Sequence, residues 1–271
     1  MKPFNQILKL GVISILTLSA AFSLSNSAKA ISISIYLSAP KSQTTIYSNT
    51  TVETFNSLVA GNRTTDYNSA IGIYHLSPTN PFNIQADNQY GSGTGNYVAL
   101  GAQSGTSAPF TLTLTSPATY FGLSWNAGDN KNGLAFYSGN ILVGQFISSS
   151  IQAKLSATTV TALDNTVYTS ASYRGKPPAG TLNPSENYAF INFIATGGTF
   201  DSVVFSNSGS IGSGFESDNH TILGTPISPD GKFVFVSNIS TVPEPGVLSV
   251  GLCSLIGIAG FSMRRRFRKK E

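Results

Sequence analysis

From residue 31 to residue 242 the apolar side chains of this sequence recur at every second position and never settle into a helical period. Ile31, Ile33, Ile35 and Leu37 alternate with serines and Tyr36, and Phe110, Leu112 and Leu114 alternate with threonines. Successive side chains of extended backbone point to opposite sides, so this alternation describes strands with one buried and one wet face. Similar short runs fall at 52–58, 69–75, 96–100, 119–125, 133–137, 141–147, 187–194, 200–206, 219–224 and 232–237, divided by Gly, Asn, Ser and Pro. Short strands at this spacing predict an all-β fold, an antiparallel β-sandwich of jelly-roll-like type. Two stretches, 77–95 and 156–186, hold prolines and glycines with few apolar anchors and are predicted to be long loops. No helix is expected outside the two ends.

Those ends have a different character. Lys2 and Lys9 flank an apolar core from Leu10 to Leu24, and Ala28-Lys29-Ala30 closes it. This is the pattern of a signal peptide over 1–30, with Ala28 and Ala30 framing the cleavage site for signal peptidase. At the other end, 243–271, Pro243-Glu244-Pro245 precedes an uncharged run from Gly246 to Met263, and a basic tail occupies 264–271 with Arg264, Arg265 and Arg266 at its head. Eighteen helical residues span roughly 27 Å, close to the hydrocarbon thickness of a bilayer. The arginines hold that end on the cytoplasmic side, so the exported domain, 31–242, faces outward from one C-terminal transmembrane helix over 246–263.

Removing the ends changes the electrostatics. The whole chain is +4, but nine of its sixteen basic residues lie in the two end segments; residues 31–242 keep seven against ten acidic ones, a net −3. Nucleic acid is therefore excluded as a partner, since phosphate neutralisation needs a basic face. Cys253 is the only cysteine and lies in the tail, so the exported part can form no internal disulfide and no thiolate nucleophile.

The three-part C-terminus, Val242-Pro243-Glu244-Pro245, a short apolar helix and an Arg-rich end, resembles the PEP-CTERM sorting signal. The resemblance implies that an exosortase, a transpeptidase-like membrane enzyme, cuts at Pro243, Glu244 and Pro245 and passes the domain to the cell surface. Phe121-Gly122-Leu123-Ser124-Trp125-Asn126-Ala127-Gly128-Asp129-Asn130, then Phe136-Tyr137-Ser138-Gly139 and Gly214-Phe215-Glu216-Ser217-Asp218-Asn219, are similar to exosortase-dependent surface proteins known mainly from cyanobacteria. That family usually carries an apolar residue where this chain has His220.

No catalytic motif emerges, and the chain is expected not to be an enzyme. There is no GxSxG elbow, and Gly212-Ser213-Gly214 reads as a turn. Glu216 and Asp218, two apart on one strand, meet the separation of a glycosidase pair, as do many structural carboxylates. That leaves polysaccharide degradation as the most distant reading. Sugar contact through aromatic faces is nearer, with Tyr90, Tyr173 and Trp125 as the candidate glycan-binding residues. Phe121, Leu123 and Trp125 share one strand face, however, which favours the core for Trp125. A calcium-dependent carbohydrate-binding module is the second reading, with a structural calcium ion held by Asp129, Asn130, Glu216, Asp218 and Asn219 as its candidate ligands. Against it, Asp129 and Asn130 also fit a plain Asx turn. The leading expectation is a structural or adhesive protein in contact with surface or extracellular polysaccharide.

Overall fold

The computed structural model describes residues 30–209, 212–227 and a two-residue strand at 235–236. The signal peptide, Pro243-Glu244-Pro245, the span 246–263 and the basic tail lie outside the described residues. Among the described residues, no helix is long and apolar enough to cross a membrane.

The chain folds into two antiparallel sheets and a small hairpin. Its strands are β1 Ser32–Leu37, β2 Thr51–Glu53, β3 Gly61–Arg63, β4 Tyr67–Asn68, β5 Gly72–His75, β6 Phe82–Gln85, β7 Tyr97–Gly101, β8 Phe110–Ala118 and β9 Tyr120–Gly128. They continue as β10 Asn132–Ser138, β11 Ile141–Ile147, β12 Thr159–Thr161, β13 Val167–Thr169, β14 Asn187–Thr196, β15 Phe200–Asn207, β16 Gly214–Leu223 and β17 Phe235–Val236. The large sheet runs β17-β1-β14-β9-β16-β7-β6-β3, with β2 also on β16, and the small one β11-β10-β15-β8-β5-β4.

The inward side chains of both sheets form one core. Ile33, Ile35 and Leu37 of β1 meet Phe121, Leu123 and Trp125 of β9 and Leu112, Phe136 and Phe205 from the small sheet, all buried. Phe110 and Phe205 stack at 4.7 Å, and Phe205 in turn packs against Phe121 and Phe215 across the layers. The alternation read from sequence is thus the alternation observed.

β16 departs from it. Its register against β9 shifts between Asp218 and Thr221, and Asn219 takes a left-handed φ of 51°. This bulge inserts a residue, so the inward set changes from Phe215 and Ser217 to His220 and Ile222. His220 is fully buried, stacked on Phe205 at 4.9 Å and edge-on to Phe55 at 5.0 Å. Its two ring nitrogens meet Tyr74 Oη and Ser217 Oγ, each at 2.9 Å. Burial drives its pKa down to about 3, so the ring stays neutral and packs as one more side chain of the core.

Three expectations need correction. The stretch 77–95 contains β6, whose Phe82 and Ile84 are fully buried between β3 and β7. The stretch 156–186 contains the β12–β13 hairpin and a 3₁₀ turn at Ser170–Tyr173. Finally, Ser148–Leu155 forms a helix, α1, which buries only Ser148, Ile151 and Leu155. Two apolar residues four apart in eight are too few to display a helical period.

Candidate functional site

The two sheets turn their outer faces to different surroundings. In register with one another, Tyr120, Ser124 and Asn126 of β9, Phe190 and Asn192 of β14, Glu216 and Asp218 of β16 and Tyr97 of β7 point away from the core. Most of these are polar, yet all are buried. Three loops cover them.

Segment 38–50 lies over β9 and β16: Tyr47 packs edge-on to Tyr120 at 5.3 Å, and Asn219 Nδ2 donates to Gln43 O at 2.9 Å. Segment 86–96 and segment 174–186 are tied to each other. Lys176 Nζ donates to Asp87 Oδ1 and, at 2.8 Å, to Asn88 O, while Asn183 Nδ2 and Tyr188 Oη both donate to Gln89 O. Lys41 Nζ, donating to Arg174 O and Gly175 O, joins the first segment to the third.

Under this canopy the carboxyls behave as burial dictates. Desolvation raises Glu216 to about 7, with Asp129 and Glu186 adding to the rise and a hydrogen bond from Gln103 Nε2 opposing it. Asp218 is raised to about 8, again by desolvation first, with Glu53 and Asp87 contributing; the Asn219 backbone N–H donates to it at 2.7 Å. Burial also raises Tyr97 and lifts Tyr188 to about 12, and both feel the charges of Glu216 and Tyr90. Tyr97 Oη and Tyr90 N–H both donate to Asn88 Oδ1 and Tyr188 Oη donates to Gln89 O, so the three tyrosines gather on segment 86–96, with Tyr90, 38% exposed, at the rim.

The residues expected from sequence separate accordingly. Trp125 belongs to the core: its Nε1 donates to Asn132 Oδ1 at 2.7 Å and its indole lies so close to Gly128 that a Cβ there would come within 2.0 Å. Tyr173, a glycan-binding candidate in sequence, is a buried loop anchor and offers no face to a ligand, its Oη donating to Ser38 O at 2.9 Å. Of the three aromatic candidates, only Tyr90 can offer a ring face to a ligand.

The calcium ligands are not brought together as one set. Asp129 Oδ1 accepts from Lys131 N at 2.7 Å, the Asx turn, and Oδ2 accepts from Ser213 Oγ; Asn130 is exposed. Among the described residues no group of three or more His, Cys, Asp or Glu side chains is arranged to hold a metal ion. Glu216 and Asp218 project from one face of one strand, whereas a glycosidase pair must flank the scissile bond. A cavity of about 200 Å³ beside β1, lined by Ile35, Leu37, Lys154 and Val160 among others, shares no residue with these groups.

The small sheet's outer face is open. Its register gives two cross-strand rows, His75–Thr111–Val204–Ala135–Gln145 and Ile73–Thr113–Ser202–Tyr137–Leu142, all half-buried or exposed. At strand spacings of about 4.8 Å each row extends roughly 19 Å. Neither contains Lys, Arg, Asp or Glu. At one end His75 Nδ1 lies 3.0 Å from Asp66 Oδ2 and Nε2 3.0 Å from Thr113 Oγ1, a surface chain that spacing alone gave no reason to connect. Leu76 N–H and His75 hold the Asp66 carboxyl below its usual value. The only sequence signal was the alternation that puts Thr111, Thr113 and Thr115 on one wet face of β8.

No family model matches the chain, and no curated protein matches it in sequence. Among solved structures, the catalytic domain of a GH87 alpha-1,3-glucanase variant in complex with tetrasaccharides is 19% identical, with a TM-score of 0.29. The same catalytic domain in complex with nigerose is 17% identical, also with a TM-score of 0.29. Each match covers 75% of this chain and 30% of the other, so this chain spans less than a third of those proteins' length. Similarity at this level carries no argument about fold or activity.

Proposed function

We propose that this is an exported, exosortase-sorted surface protein, not an enzyme, whose sandwich makes structural or adhesive contact with neutral polysaccharide in the cell envelope or extracellular matrix. Signal peptidase cuts after Ala30, the helix over 246–263 holds the domain outside the membrane, and exosortase then acts at Pro243-Glu244-Pro245. The supporting observation is the open face of the small sheet, two rows across five strands without Lys, Arg, Asp or Glu. Hydroxyls, an amide, an imidazole, aliphatic side chains and one tyrosine suit an uncharged, hydroxyl-rich chain, which needs hydrogen bonds and apolar contact but no counter-charge.

The test is co-sedimentation of the full chain with bead-immobilised neutral polysaccharides, dextran, cellulose and agarose. Retention by at least one, lost in Thr113→Arg and Val204→Arg, is the expected result. Equal retention of wild type and both variants, or none by any polysaccharide, would overturn the surface assignment, and retention abolished by chelator would move the reading to a calcium-dependent module. Sorting is tested separately. Replacing Pro243-Glu244-Pro245 by alanines in a host with an exosortase should trap the full-length membrane form, and a surface form still carrying Cys253 by mass spectrometry would refute cleavage.

A further inference from the structure

A sheet ends in a strand whose outer N–H and C=O groups can template a second chain, and proteins keep such edges short, charged, bulged or covered. Among the described residues the edges of this sandwich follow that rule with one exception. The large sheet ends in β17, two residues, and in β3, three; β2, which flanks the far end of β16, has three. The small sheet ends in β4, two residues, and in β11, seven.

β11 lacks the other devices over most of its length. From Ile141 to Ile147 it contains no charged residue and no proline. Its bulge is confined to the turn end: the register against β10 passes over Val143 and is regular from Gly144 to Ile147. Among the described residues β10 is its one strand neighbour. Ile141 and Ile147, at its two ends, are 57% and 48% exposed. The same strand forms the margin of the open face, to which it contributes Leu142 and Gln145.

We propose that β11 is a self-association edge, at which two copies of this chain join β11 to β11, antiparallel, about a twofold axis. A twofold contact sets one surface against itself, so any charge on the edge would face its own copy; the long edge is the one that carries none. Opposite residues of an antiparallel pair point to the same side of the sheet. Self-pairing over Gly144–Ile147 therefore sets Gln145 opposite either Gln145 or Ile147 of the second copy. Strands of one sheet also share its two faces, so both open faces come to lie on one side of the joined sheet. Each cross-strand row then crosses ten strands in place of five, roughly 43 Å at about 4.8 Å per strand. The joint itself does not rest on the adhesive reading; its use, two faces on one polysaccharide chain with the gain of bivalency, does.

The experiment is sedimentation equilibrium of the full chain in a density-matched detergent. A reversible monomer–dimer equilibrium is expected for the wild type. The Gln145→Lys/Ile147→Lys double variant should dimerise about tenfold more weakly, because like charges then meet across the joint, and Gln145→Asp/Ile147→Asp should do the same. An equimolar mixture of the two should recover the dimer, since each lysine then faces an aspartate. Both positions are exposed, and unchanged melting temperatures confirm that the variants fold. A wild type that stays monomeric at every concentration would overturn the assignment. So would equal association of wild type and both variants, which would place the contact elsewhere in the chain, or a mixture that fails to recover the dimer. Val204→Arg should leave the dimer unchanged while abolishing retention on polysaccharide beads, so the two assignments can fail independently.

Discussion

The outer faces of the two sheets began as the same pattern and ended in opposite environments. On β8 the outward positions are Thr111, Thr113 and Thr115; on β9 they are Tyr120, Ser124 and Asn126. Both alternate with core residues, and both are what a wet face requires. The threonines are wet, and the β9 residues are not, because segments 38–50, 86–96 and 174–186 lie across the large sheet alone. Strand periodicity determines which side chains leave the core. It does not determine whether water receives them. Beneath the canopy every polar group must find a protein partner or remain unsatisfied, which is why perturbed carboxyls occur there.

The difference should be largest in the pH dependence of stability. In the folded chain Glu216 titrates near 7 and Asp218 near 8, whereas an unfolded chain's carboxyls titrate near 4. Folded protein therefore keeps protons that unfolded protein releases. The associated stability is complete below about pH 4 and falls until pH passes the folded values, at about 1.4 kcal/mol per unit for each group. His220 acts the other way, because its folded value of about 3 lies below the ordinary 6.5. Its contribution is complete above pH 6.5 and is lost as pH falls toward 3. Two acids outweigh one imidazole, so unfolding free energy should drop on the order of 4 kcal/mol between pH 5 and 8. Urea melts of the Glu216→Gln/Asp218→Asn double variant should show that fall replaced by the smaller rise between pH 5 and 6.5 that His220 alone gives, and Asp66→Asn on the open face should leave the fall intact. A rise in stability from pH 5 to 8 in the wild type would contradict the burial of both acids.

Truncation at matched outward positions comes next. Tyr120 is fully buried, donates to Asn192 Oδ1 at 2.8 Å and meets Tyr47 edge-on. Tyr120→Ala should cost about 3 kcal/mol, the cavity and the unpaired amide acting together. Thr113→Ala, on the open face, should stay within about 0.5 kcal/mol. Equal losses in chemical denaturation would mean that the two faces are equally covered.

How much of this was legible follows from the same distinction. Core membership was readable wherever two residues set the parity, as at Phe121, Leu123 and Trp125. The bulge at Asn219 was not, because a single left-handed residue reverses parity without altering composition, and His220 then enters the core against the expected alternation. Phe82 and Ile84 were visible as anchors of a loop but not as a strand, since the stretch around them is rich in Gly and Pro. Of the buried outer face, Glu216 and Asp218 were recognisable as two carboxylates on one strand, and Tyr90 as a candidate ring. The burial of Ser124, Asn126 and Asn192 was invisible: a polar residue on a wet face is unremarkable until a loop covers it. Tyr173 is the converse case: its proline-rich surroundings left both a sugar contact and a loop anchor open, and it anchors the canopy through Ser38 O.

The smallest effect concerns what holds the canopy down. Lys176, 11% exposed, gives its ammonium hydrogens to Asp87 and to Asn88 O, and so links the two loops that enclose Tyr97 and Tyr188. Ion pairs near a surface contribute about 0–1 kcal/mol, so Lys176→Met should lower global stability by less than about 1 kcal/mol. Its local consequence should be plainer. Tyr90 N–H and Gly91 N–H are held within the turn by Asn88 Oδ1 and Asn88 O, and freeing Asn88 from the lysine should speed their amide exchange. Exchange along β8 on the open face should not change, because no element of that sheet contacts Lys176 in its hydrogen bonds. Faster exchange at Tyr90 and Gly91 alone would identify Lys176 as the latch over the tyrosine cluster. Unchanged exchange there would transfer that role to Asn183 and Tyr188, whose bonds to Gln89 O remain when the lysine is gone.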